Sequence, residues 1–171
     1  MKKHQIKWED RKFDFNFPES IYPELIVRLN STFSRIQSII ENTSNDELIK
    51  RKDDKWSIQE NIGHLLVVDD LFIGRLEDYE NGVSPLRPAD LSGKNTDDAN
   101  FNSMDIKNIL SEFRKKRQLY IKRLENLNPI MFAKVALHPR LNKPMRLCDM
   151  LFFQAEHDDY HINRINELVN K

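Results

Sequence analysis

The chain of 171 residues has one cysteine, only four glycines, no surplus of either charge and no long apolar run. A single cysteine, Cys148, cannot close an internal disulfide, which favours a reducing compartment. Lys plus Arg and Asp plus Glu both number 27, so the formal net charge is zero and offers nucleic acid no electrostatic footing. The basic runs at Lys50–Lys52 and Arg114–Arg117 then read as solvated helix surface. No stretch approaches the roughly 20 apolar residues that cross a bilayer. The start, MKKHQIKWEDRK, has no apolar run behind its basic residues, unlike a signal peptide. What is present suffices for a core: 39% of residues are apolar and 32% charged. The expectation is one soluble, cytoplasmic domain spanning residues 1–171, with no membrane or nucleic-acid partner.

Helical periodicity accounts for most of the length. Leu25, Leu29, Phe33, Ile36 and Ile40 mark one face of a first helix from about Pro18 to Glu41. A polar breaker at Asn42–Asp46 and a short helix or turn fill the gap before Trp56. Ser57-Ile58-Gln59-Glu60 is a capping box that starts a second helix, and Asn81-Gly82 ends it. Ile62, Leu66, Ile73 and Leu76 line one side of this helix, and Val67, Val68 and Leu71 line another. A helix apolar on two faces belongs at the centre of a bundle. Residues 83–102 read as a long surface loop, a length that is often functional. Ser103 is the expected cap of a third helix whose buried side carries Ile106, Leu110, Phe113, Tyr120, Leu124 and Leu127. Asn128-Pro129 stops it, and a connection bearing His138-Pro139 leads to a fourth helix over about Leu147–Val169. No strand-like alternation persists, so the predicted fold is all-α: a four-helix bundle with long connections that permit non-adjacent topology.

The histidines carry the chemistry. His157 and His161 are four apart and project from one helix face, a spacing that can clasp one metal ion or simply cap carbonyls at a wet edge. His64 lies on the second apolar face of a different helix. Imidazole suits zinc, iron or nickel, and three protein nitrogens leave a coordination position open, which distinguishes a reactive site from a closed structural one.

Two segments, KWSIQENIGHLLVVDDLF and LHPRLNKPMRLCDMLFFQAEHDDYHINRINEL, resemble the DinB/YfiT-like superfamily of metal-binding helical bundles. The shared features are the Trp-Ser cap before a helix with an internal His, the His-Pro connection and the terminal H-x-x-x-H. The resemblance implies one divalent ion on His64, His157 and His161, and a homodimer is the oligomer it suggests. Its members include metal-dependent transferases that join a low-molecular-weight thiol, such as bacillithiol or mycothiol, to an electrophile. Others are thiol-dependent isomerases or are labelled metal-dependent hydrolases, and a non-enzymatic metal-binding bundle is the competing class.

Among the remaining candidates, Asp158 falls on the inward side of the fourth helix and is expected to orient a ligand imidazole or a bound water. Asp69 interrupts an apolar stripe and needs a partner, an Arg or a Tyr such as Tyr120 or Arg146. Glu60 is accounted for by its capping box. Cys148 reads as a semi-buried structural thiol, since nine residues of helix separate it from His157 by about 13 Å. His138 is expected to brace the start of the fourth helix, and His4 to be inert in a polar tail.

Overall fold

A computed structural model describes residues 5–170; His4 lies outside them. The chain forms α1 (Tyr22–Ile40), α2 (Asn45–Ile49), α3 (Ile58–Glu80), α4 (Lys94–Asp98), α5 (Ile106–Glu125) and α6 (Leu147–Val169), with a hairpin of β1 (Val135–His138) and β2 (Lys143–Arg146). Capping boxes begin two helices: Ser44 with Glu47 for α2, and Ser57 with Glu60 for α3. Pro23 occupies the first turn of α1, where its missing N–H costs nothing. The cap of α5 is Asp105, whose carboxylate accepts from Lys107 N–H at 2.8 Å, rather than Ser103.

The four long helices pack as a ring in the order α1–α6–α3–α5. Sequence neighbours α1 and α3 are therefore diagonal, as are α5 and α6, the non-adjacent topology that the two long connections permit. The strands were not foreseen. Each is four residues long, paired antiparallel from Val135↔Arg146 to His138↔Lys143, too short for alternation to stand out. Asn142, at φ 49°, supplies the left-handed residue of their turn. The 83–102 segment is likewise more ordered than a plain loop. It contains α4, is tied to β1 by Leu86 N–H donating to Leu137 O at 3.0 Å, and lays Phe101 over Gly63. A Cβ at residue 63 would lie 2.3 Å from that ring, so only glycine permits the contact.

Two apolar clusters fill the bundle. One gathers Leu25, Leu29, Phe72, Leu76, Leu124 and Leu151; the other gathers Ile36, Ile62, Leu65, Phe113, Ile162 and Ile165. Between them in sequence lies a polar layer with one residue from each long helix: Thr32, Asp69, Arg117 and Asp158, all essentially inaccessible. Arg117 donates to Asp69 at 2.7 and 3.0 Å and to Asp158 at 2.6 Å, and Thr32 donates to Asp158 at 2.7 Å. Arg117 is thus the partner that Asp69 requires, not Tyr120 or Arg146. The guanidinium is a core group, not part of a solvated basic run. The inward residue of α1 at this level is likewise Thr32, with Phe33 only partly buried.

Candidate metal centre

α3 and α6 pack side by side, so the face of α3 that bears His64 meets the pair on α6. One ring nitrogen from each of His64, His157 and His161 lies within 4.8 Å of the other two. Asn61, on α3, orients one ring. Its amide nitrogen donates to the carbonyls of Trp56 (3.3 Å) and Ser57 (2.7 Å), which turns its Oδ1 toward His161 Nδ1 at 2.9 Å. That oxygen can only accept, so Nδ1 carries the proton and Nε2 keeps its lone pair. His64 Nδ1 lies 2.9 Å from Thr96 Oγ1, and its Nε2 lies 3.4 Å from His157 Nε2. Two nitrogens bound to one tetrahedral zinc at about 2.0–2.1 Å would also be about 3.4 Å apart. His157 Nδ1 is buried with no hydrogen-bond partner among the described residues.

Burial pushes the His64 imidazole down to about 4. It also holds His157 and His161 well below their ordinary value, with the neighbouring imidazoles adding to the effect. All three are neutral at pH 7, the form that ligates a metal. The donor set therefore fits one divalent ion.

Aromatic rings close around the cluster. Trp56 lies 4.7 Å from His64 between ring centroids, and Trp8 stands edge-on to His157 at 4.9 Å. Beside the cluster lies a cavity of about 690 Å³. Val67, Val68 and Leu71, the second apolar face of α3, line this cavity, while Val67 and Val68 also pack at the edges of the two apolar clusters. That face is the wall of a site.

The other candidates fall elsewhere. Asp158 directs its carboxylate to Arg117 and Thr32, so it is spent on the polar layer and does not orient an imidazole. Although adjacent in sequence to His157, it points about 100° around the helix. Cys148 is fully buried, and burial pushes its thiol up to about 12, leaving it inert. His138 packs against Phe153 of α6 at 5.1 Å, consistent with bracing, and also lines the cavity. Sequence reasoning missed Asn61, Thr96 and Trp8. Asn61 sits one turn before His64 on α3, but its role depends on a contact with His161 of α6, and Thr96 and Trp8 reach the site only through tertiary packing.

A helical bundle with three converging imidazoles at a cavity defines a class of candidate metal proteins. The sequence model of the DinB superfamily matches residues 28–165, and the chain belongs to that superfamily. Among solved structures, YfiT from Bacillus subtilis, a probable metal-dependent hydrolase with an unusual four-helix bundle topology, is similar with a TM-score of 0.79 and 18% identity. The match covers 92% of this chain and 91% of that one. A mycothiol-dependent maleylpyruvate isomerase gives a TM-score of 0.67 at 9% identity, over 93% of this chain and 62% of that one. The colibactin self-resistance protein ClbS, solved in complex with dsDNA, also gives 0.67, at 15% identity over 86% and 94%. At these identities the likeness is one of fold. A search of curated proteins finds no match.

Proposed function

We propose that the chain is a metal-dependent enzyme that joins a low-molecular-weight thiol to a small electrophile. His64, His157 and His161 would hold one divalent ion, zinc, nickel or iron. The observation that carries this reading is the convergence of three neutral imidazoles beside a cavity of about 690 Å³, a size suited to small molecules. When bound, such an ion supplies Lewis acidity that favours the anionic form of a thiol, or of water, at its open position. The chain's own residues do the rest. Asn61 and Thr96 hold ligand rings in orientation, Trp8 and Trp56 restrict water, and the apolar wall of α3 receives the organic part of the ligand. Thiol chemistry also suits the reducing, cytoplasmic setting that a lone buried cysteine suggests.

Hydrolysis is the second reading, favoured by the high structural similarity to YfiT. Duplex DNA stays outside the proposal because the net charge is zero; duplex binding that falls steeply with salt would bring it in. The test is a screen of metal-loaded protein against several small thiols with a chromogenic haloarene, run beside simple esters. Metal-dependent thiol consumption supports transfer, and ester cleavage without it supports hydrolysis. Neither, in a folded and metal-loaded protein, would make the chain a non-enzymatic bundle.

A further inference from the structure

The cavity continues well beyond the imidazole cluster. Arg75 follows His64 on α3 by eleven residues, about 16 Å of helix axis and only about 20° from three full turns, so both side chains line the same wall. Arg75 is 1% exposed, yet no carboxylate pairs with it among the described residues. Its Nε donates to Arg87 O at 3.1 Å and its Nη1 lies 3.2 Å from His138 Nε2. The second contact is one donor too many. His138 Nδ1 already accepts from Leu141 N–H at 3.2 Å, and a neutral imidazole has one lone pair to give. In the tautomer whose Nδ1 accepts from Leu141, His138 Nε2 carries an N–H that faces Arg75 Nη1 and finds no acceptor there, and Arg75 Nη1 itself is left with Met150 Sδ, a weak acceptor at 3.9 Å. Arg140, from the β1–β2 turn, adds another: its Nη2 is buried with no partner among the described residues, and its guanidinium rests over Trp8 and Phe153.

Among the described residues no acid forms an ion pair at this end, and Asp78 and Glu9 act on Arg75 and Arg140 only from longer range. Asp78 is occupied by Arg87, which donates to it through backbone and side chain at 2.8–3.1 Å. Asp70 pairs with Lys116 at 2.6 Å, Asp90 accepts from Ser92, and Glu9 is exposed at the rim. Buried cations are ordinarily paired, and two unpaired arginines in one apolar cavity are an acceptor short. The desolvation is large enough to push Arg75 down to about 10.

We infer that Arg75, Arg140 and His138 form an anion subsite that takes a carboxylate carried by the ligand whose other end reaches the three imidazoles. The apolar stretch between, lined by Val68, Leu71 and Phe72, fits an aliphatic or aromatic spacer. The inference rests on the proposed function only for the imidazole end. The carboxylate belongs either to the thiol or to the electrophile.

The test uses the cobalt-loaded protein, with octanoate, octanamide, octanethiol and 8-mercaptooctanoate as probes. Octanoate should bind at least tenfold more tightly than octanamide without altering the cobalt absorption. Arg140→Met and Arg75→Met should each cut that preference several-fold while octanethiol binding persists. Thermal unfolding checks that the Arg75 variant remains folded, and the half-buried Arg140 keeps the test open if it does not. A further gain for 8-mercaptooctanoate over octanethiol assigns the carboxylate to the thiol. No such gain, with the octanoate preference intact, assigns it to the electrophile. Equal binding of octanoate and octanamide would overturn the subsite. So would an octanoate preference that shifts the cobalt bands and survives both substitutions, because the carboxylate would then sit on the ion. Failure of octanethiol to give a thiolate-to-cobalt band would defeat the proposed function alone, since octanoate is read separately.

Discussion

The three imidazoles come from two helices, and this sets what single substitutions should do. His157 and His161 share α6, His64 comes from α3, and loss of any one leaves two protein nitrogens to compete with water. His64→Ala, His157→Ala and His161→Ala should each lose most bound metal on dialysis, while His138→Ala keeps it; elemental analysis of the purified variants decides. Full occupancy in the His64 variant with loss in the His138 variant would move the site. Asn61 fixes the tautomer of His161 through its Oδ1, oriented because the amide nitrogen donates to two carbonyls. Asn61→Ala should therefore weaken metal binding by about 10–100-fold in a chelator competition, the usual effect of removing such a support. An unchanged affinity would mean that the ring is held by packing alone.

At the level of the helices, the polar layer is the point of greatest vulnerability. Burial is the largest single effect on the Arg117 guanidinium and lowers it, but Asp158 and Asp69 together outweigh burial and hold the group above its ordinary value. Arg117→Met would leave two carboxylates facing each other between apolar clusters, and should destabilise the fold by about 3–5 kcal/mol. A urea midpoint within error of the native one would refute it. These four residues were legible in part. Arg117 falls in step with Ile106, Leu110, Phe113, Tyr120 and Leu124, and Thr32 with Leu25, Leu29, Ile36 and Ile40. A polar residue in register with a stripe is therefore a core residue awaiting a partner, even when neighbouring lysines suggest a solvated run. The capping box of α3 and the H-x-x-x-H pair were readable because their determinants are local. The hairpin, α4 and the segment that brings Trp8 to His157 were not, since contacts distant in sequence hold each of them. Even Phe13, Phe15 and Phe17, spaced two apart, gain meaning only when Phe152 and Phe153 of α6 are beside them.

For the molecule as a whole, the histidines make stability depend on acidity in a definite direction. Burial pushes His138 down to about 4, with Arg75 and Arg140 adding to the effect, and the His64 imidazole also falls to about 4. An unfolded chain would protonate these groups near pH 6.5. Between about pH 6.5 and 4 the unfolded state thus binds more protons than the folded one, and stability falls as pH falls. Each shift from 6.5 to about 4 can remove at most about 3 kcal/mol across that window. His157 and His161, shifted the same way, add to the loss. Asp69 works in the opposite sense: burial pushes it up to about 6 despite Arg117, so its protonation favours the folded state as pH falls. Four histidines against one aspartate set the net sign. The metal-free protein should be folded at pH 7, held by its two apolar clusters, and lose several kcal/mol by pH 4.5. Urea unfolding at stepped pH measures this, and His138→Gln should flatten the curve by about the share of one histidine. A metal-free chain already unfolded at pH 7 would show that the ion, rather than the apolar stripes, holds the bundle together.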